Sequence, residues 1–445
     1  MPRKIEMPRA KIFLAILLCS ILAACATAHV NNSATPSSVA TDAPPTARAI
    51  SPTNTIAAPT ARATLPNITL TPTARAAQTA QPTPTRAEIV TPTASDLRAI
   101  QDALDTIARA YTTGDAALLD DAVEKNTAFA RMVRSDFAEY QKSFVGGQLK
   151  FAYRLLSAQA RPYGFVQVHL VNQNGMVSDW FFREQDGKWI LSEPTLAQLG
   201  APQITETDNF IFKTYPWADD SNAAIMQLME NARARVEKVL GQVPDTKANV
   251  EIRPAYAVSP FDDPFAVAAY SANGRGARDD IWIYSPASFE FGAYDPTDGW
   301  ESYLETILTH EYTHLVHKRV FNRAGQQCAW TSEGLAEFVA GSFRENAVRR
   351  AVATGNIIPL VDTETAVYKQ DLNHMTLLKQ DKGLAYGFAA SLVKFITERF
   401  GGMPAFWKLA DACDKNLEFD DALQQAFGMS LDEFDRAWRD WLKSY

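Results

Sequence analysis

The chain has 445 residues, enough for two folded domains and further segments. Its hydrophobic content of 47% is ordinary for a globular protein. A formal net charge of −8 argues against nucleic acid as a partner, because neutralising phosphates takes a basic surface.

Residues 1–24 read as a signal peptide. Arg3, Lys4, Arg9 and Lys11 precede the apolar run "IFLAILLCSILAA", which is short for a membrane span. The run ends in "LAAC", Leu22 to Cys25, which resembles the bacterial lipobox. That resemblance implies lipidation of Cys25 and an extracytoplasmic chain anchored to a bacterial membrane; each buried methylene of the lipid adds about 0.8 kcal/mol. Residues 25–95 are rich in Thr, Pro, Ala and Ser, and the unit "PTAR" recurs. Such a stretch cannot bury enough apolar surface to offset its ordering entropy. It reads as a disordered tether, reaching on the order of 200 Å at ~3.1 Å per residue when extended.

Order is expected from near Ser95. Leu97, Ile100, Leu104, Ile107 and Ala108 recur at helical spacing, and "AALLDDAV" and "NTAFARMVRSDFAEYQKSF" read as further helices. The pattern then alternates, with "NQNG" and "EQDGK" as hairpin turns. Helices followed by a curved antiparallel sheet resemble the cone-shaped fold of the nuclear transport factor family, over residues 96–200. His169 falls mid-strand and reads as a wall residue of that domain.

A second domain is expected over 205–445, mostly helical with a small sheet, making the whole chain α+β. "NFIFKTYP", "ANVEIRPAYA" and "DDIWIYSPASF" read as strands, and "DDSNAAIMQLMENARARVEKVLGQ" as a long helix. The segment "WESYLETILTHEYTHLVHKRVF" reads as a helix buried on much of its surface. On it His310 and His314 share a face one turn apart, so both imidazoles can close on one zinc ion. Glu311 lies about 100° round the helix, beside a metal-held water but not a ligand. A third ligand is needed. His317 occupies the position where the metzincin pattern requires Gly. Glu333, in "CAWTSEGLAEF", instead follows His314 after eighteen residues, an interval that fits a second helix returning antiparallel.

His310, Glu311, His314 and Glu333 resemble the gluzincin pattern of thermolysin and aminopeptidase-N relatives. More narrowly, the chain resembles the peptidase MA-like group of bacterial proteins, with "SEGLAEF" in place of its E-G-x-A segment. The resemblance implies a metallopeptidase with one Zn2+, ligands His310, His314 and Glu333, and Glu311 as general base. It also implies Glu337 as the carboxylate that hydrogen-bonds a ligating histidine, and Tyr386 as the donor to the oxyanion. Tyr312 and Thr313 point away from the metal, and His317 reads as a packed residue. His374 falls in a polar loop. Aminopeptidase relatives carry a G-x-M-E-N-type segment before the zinc helix; only "NGRGARDDIWIY" stands here, which favours an endopeptidase.

The expected activity is therefore zinc-dependent hydrolysis of a peptide or protein substrate, with "DDIWIYSP" pairing the substrate backbone at its edge. The rival reading is a non-catalytic zinc-containing lipoprotein that binds peptide or glycan. Of the four cysteines, Cys328 and Cys413 remain after Cys19 and Cys25 are assigned to leader and lipid. They could pair or stay separate buried thiols, and the sequence leaves that open, with the oligomeric state.

Overall fold

Thr93 opens the first helix, α1 (Ala94–Thr113), with a reciprocal cap. Its hydroxyl accepts from the Asp96 N–H, and Asp96 Oδ2 accepts from the Thr93 N–H at 2.7 Å. The sequence pattern sets this start near Ser95; the cap lies earlier because Thr93 has the acid three residues on. The structure is a computed structural model. It describes residues 89, 91–125, 127–142, 144, 150–175, 177–253, 269–271, 280–284, 299–321, 328–341, 344–361, 371–373, 382–415 and 418–444. The expected leader, Cys25, nearly all of the 25–95 stretch and His374 lie outside these. Among the described residues no helix is long and apolar enough to cross a membrane.

Helices α2 (Ala116–Ala122) and α3 (Ala128–Lys142) come next in the chain. Four antiparallel strands succeed them, in spatial order β1 (Tyr153–Ala160), β2 (Phe165–Asn172), β3 (Val177–Gln185) and β4 (Lys188–Leu191). The β3–β4 hairpin turns through Asp186 and Gly187 at φ 52° and 75°, which matches the twist of the flanking strands. One sheet face buries Val166, Val168, Leu170 and Phe182 against Ile100, Leu104, Tyr111 and Phe137 of the helices. The other face carries Phe165 and Phe181. They pack with Leu199, Tyr215 and Trp217, fastening this sheet to the chain beyond β4.

The second sheet runs β5 (Gln203–Glu206), β6 (Phe210–Thr214), β7 (Ala248–Arg253), β9 (Asp280–Tyr284), β8 (Ala269–Ser271) in space. Strands β6, β7 and β9 are parallel, and β5 and β8 are antiparallel edges. The sequence expectation that "DDIWIYSP" offers a free edge is corrected here. β9 pairs with β7 on one side and β8 on the other, so both its ladders are used, and the outer strand is β8. Helices α4 (Asp219–Leu240) and α5 (Gly299–Phe321) cover one face, joining Phe210, Phe212, Val250, Ile252, Ile281 and Ile283 in one core.

Among the described residues six helices follow: α6 (Trp330–Ala340), α7 (Glu345–Ala353), α8 (Lys382–Arg399), α9 (Met403–Asp414), α10 (Phe419–Phe427) and α11 (Leu431–Lys443). The last presents Phe434 and Trp441 to Phe395 of α8, and Trp438 Nε1 donates to Ser391 Oγ at 3.1 Å. The architecture is α+β, and α6 packs against both α5 and α8.

Candidate metal centre

Helix α5 can carry polar side chains in a buried position because its hydroxyls bond its own backbone. Thr309 Oγ1 donates to the Glu305 carbonyl at 2.8 Å and Thr313 Oγ1 to that of Thr309 at 2.7 Å. Tyr312, also buried, meets Phe210 edge-on. The opposite side of α5 turns His310 and His314 toward α6. Gly334 lets α6 lie directly on α8: a Cβ there would stand 2.6 Å from the Ala389 carbonyl oxygen. The residue before it, Glu333, thereby faces α5.

The donor atoms converge. His310 Nε2 lies 3.0 Å from His314 Nε2, and Glu333 Oε2 lies 3.3 Å from the first and 3.4 Å from the second. Three ligands at zinc bond lengths and tetrahedral angles sit about 3.3–3.5 Å apart, so the trio fits a zinc ion. The far ring nitrogens agree with that. His310 Nδ1 faces Glu337 Oε1 at 3.5 Å and His314 Nδ1 faces Ser332 Oγ at 3.1 Å. An Nδ1–H donated to each partner leaves both Nε2 lone pairs for a metal. Sequence reasoning missed Ser332. The signal available was its place beside Glu333 on a helix facing His314.

Glu311 is buried and stands outside the trio. Without metal, burial opposes a charge on His310. The Glu333 hydrogen bond and the fields of Glu311, Glu337 and Glu333 outweigh it and push the pKa up to about 9. Burial likewise opposes the Glu333 charge. His314 and His310 overcome this and hold its carboxyl well below the usual range. Tyr386, half-buried on α8, is pushed well above 10 by burial and then by Glu333, Glu337 and Glu311, with Arg344 opposing. Its phenol therefore stays protonated in the field of the same carboxylates. Gly387 beside it admits α7 closely: a Cβ there would meet Val348 Cγ2 at 2.9 Å.

The two other described histidines, His317 and His169, are not part of the donor trio. His317 is buried and stacks on Trp407 of α9, centroids 5.9 Å apart. His169 Nδ1 pairs with Asp179 Oδ1 at 2.7 Å on the first sheet. Cys328 and Cys413, left open by the sequence, form a disulfide.

No protein-family model matches the chain, and no curated protein matches it. Among solved structures it is similar to aminopeptidase A of Legionella pneumophila, at 16% identity over 65% of this chain, with a TM-score of 0.33. It is also similar to the M1 zinc metallopeptidase of Deinococcus radiodurans, at 12% identity over 66% of this chain, with a TM-score of 0.31. The chain spans about a third of the first protein, 32% of its length, and 62% of the second. Both scores are low, so the functional reading rests on the donor geometry.

Proposed function

We propose that the chain is an extracytoplasmic zinc-dependent peptidase, an endopeptidase, acting on a peptide or protein substrate. The observation that carries this is the convergence of one oxygen and two nitrogen donors within 3.0–3.4 Å, with Glu311 close enough for its charge to act on His310. A zinc ion bound there supplies Lewis acidity toward water and toward the scissile carbonyl. Glu311 takes the proton of the attacking water and returns it to the leaving amine. Tyr386 donates its hydrogen bond to the developing oxyanion. Glu337 and Ser332 hold the two imidazoles in the tautomer that presents Nε2. Strand β8, the outer strand packed against α5, offers its backbone to an extended substrate.

The same proposal includes a leader over 1–24, a lipid on Cys25 that anchors the chain to a bacterial membrane, and a tether over 25–95. A nuclear-transport-factor-like domain over 96–200 and the peptidase over 205–445 complete it. The separate core of the first sheet with α1 to α3 supports that division.

The test is metal content together with Glu311→Gln. Wild type is expected to hold one zinc ion and cleave casein. Glu311→Gln is expected to keep the zinc and lose cleavage by about 10²-fold or more. A wild-type chain that holds one zinc and cleaves no peptide would favour the binding-protein reading instead.

A further inference from the structure

The two helices that carry the donor trio touch a common third element. From α9, Trp407 stacks on Phe321 at the end of α5, centroids 3.8 Å apart, and on His317 of the same helix. Further along α9, Cys413 closes the disulfide to Cys328, just before α6 begins. Cys328 sits at φ 59°, a left-handed conformation that residues with a Cβ avoid and that persists where surroundings over-determine it. Its carbonyl accepts from the Thr331 N–H and from the Thr331 hydroxyl, each at 2.9 Å. Ala329, the N-cap of α6, offers the helix start no side chain. The start of α6 is thus held from outside, through a buried half-cystine, and the turn so held contains Ser332 and Glu333.

We infer that Cys413 and Trp407 are positioning residues of the metal centre. α9 sets the spacing of the two ligand helices, and the Cys328–Cys413 disulfide fastens it to the end that carries Glu333. A ligand displaced by a fraction of an ångström weakens a site of this kind, so the disulfide state and zinc affinity are coupled. The inference rests on the zinc reading proposed above.

Coupling is reciprocal, which supplies two readouts. In the full chain, Cys413→Ala is expected to bind zinc at least tenfold more weakly, by chelator competition well below the unfolding temperature. In wild type, reduction adds two electrons and two protons to give two thiols. Saturating zinc is expected to move that potential, titrated with a dithiol couple, by about 30 mV or more toward negative values, the equivalent of tenfold. A disulfide that only stabilised the fold would lower the melting temperature of Cys413→Ala and leave zinc affinity unmoved; that result overturns the inference. So does an unchanged potential, or one shifted toward positive values as freed thiols capture the zinc. The potential is measured on wild type, so a variant that fails to fold leaves the test standing. Oxidised wild type that takes up no zinc fails the metal centre itself. Equal zinc binding with and without the disulfide fails only the brace.

Discussion

Glu337 Oε1 lies 3.5 Å from His310 Nδ1, on the side of the ring away from Glu333. One turn of α6 thus supplies a carboxylate to the donor trio and a second that faces the other nitrogen of the same imidazole. Replacing Glu337 with Gln keeps a hydrogen-bond acceptor and removes the charge. Zinc affinity is expected to fall about 10- to 100-fold, read by chelator competition, with the secondary structure unchanged by circular dichroism.

The charge on metal-free His310 makes zinc uptake a proton exchange. Its proton is held up to about pH 9, and a ligand must be neutral. Below that pH, zinc has to displace the proton, so apparent affinity rises with pH and levels off above about 9. Calorimetric titration at pH 7 in buffers of different ionisation enthalpy is expected to show about one proton released per zinc. Binding that is independent of both buffer and pH would contradict the paired state of His310.

Gly334→Ala tests the contact between α6 and α8. The added methyl meets the Ala389 carbonyl oxygen at 2.6 Å, and a backbone atom cannot swing aside. The helices must separate, at a cost of about 1–3 kcal/mol in urea unfolding. Because Glu333 is the adjacent residue, zinc affinity is expected to fall as well. A variant as stable as wild type would show that the two helices have room the structure lacks.

The His169–Asp179 pair on the first sheet gives a pH signature that does not involve the donor trio. The Asp179 hydrogen bond raises the His169 pKa, burial opposes it, and the Asp179 charge adds to the rise. With the folded value above the unfolded one, the stabilisation is full below about pH 6.5 and is lost as pH rises through the folded value. The pair is partly exposed, so the effect is expected to stay below about 1 kcal/mol. Asp179→Asn should cost more stability at pH 5.5 than at pH 8.5 in denaturant titrations. A larger cost at the higher pH would reverse the assignment.

The linear chain makes legible whatever local geometry dictates. A 3.6-residue turn puts His310 and His314 on one face whatever surrounds them, and an alternating run with "EQDGK" at its end makes a hairpin. The buried character of α5 is legible in its leucines and isoleucine, and the expected start of order near Ser95 agrees with an α1 that begins at Ala94. The tertiary structure alone decided relations between segments far apart in sequence. The pairing of Cys328 with Cys413, 85 residues on, the Ser332 contact to His314 and the stacking of Trp407 on α5 belong to this class. So does the interior place of β9, because a strand's own residues do not say whether a later pairing will occupy its second edge. Such contacts depend on how helices and strands pack, and packing is settled by the whole core at once.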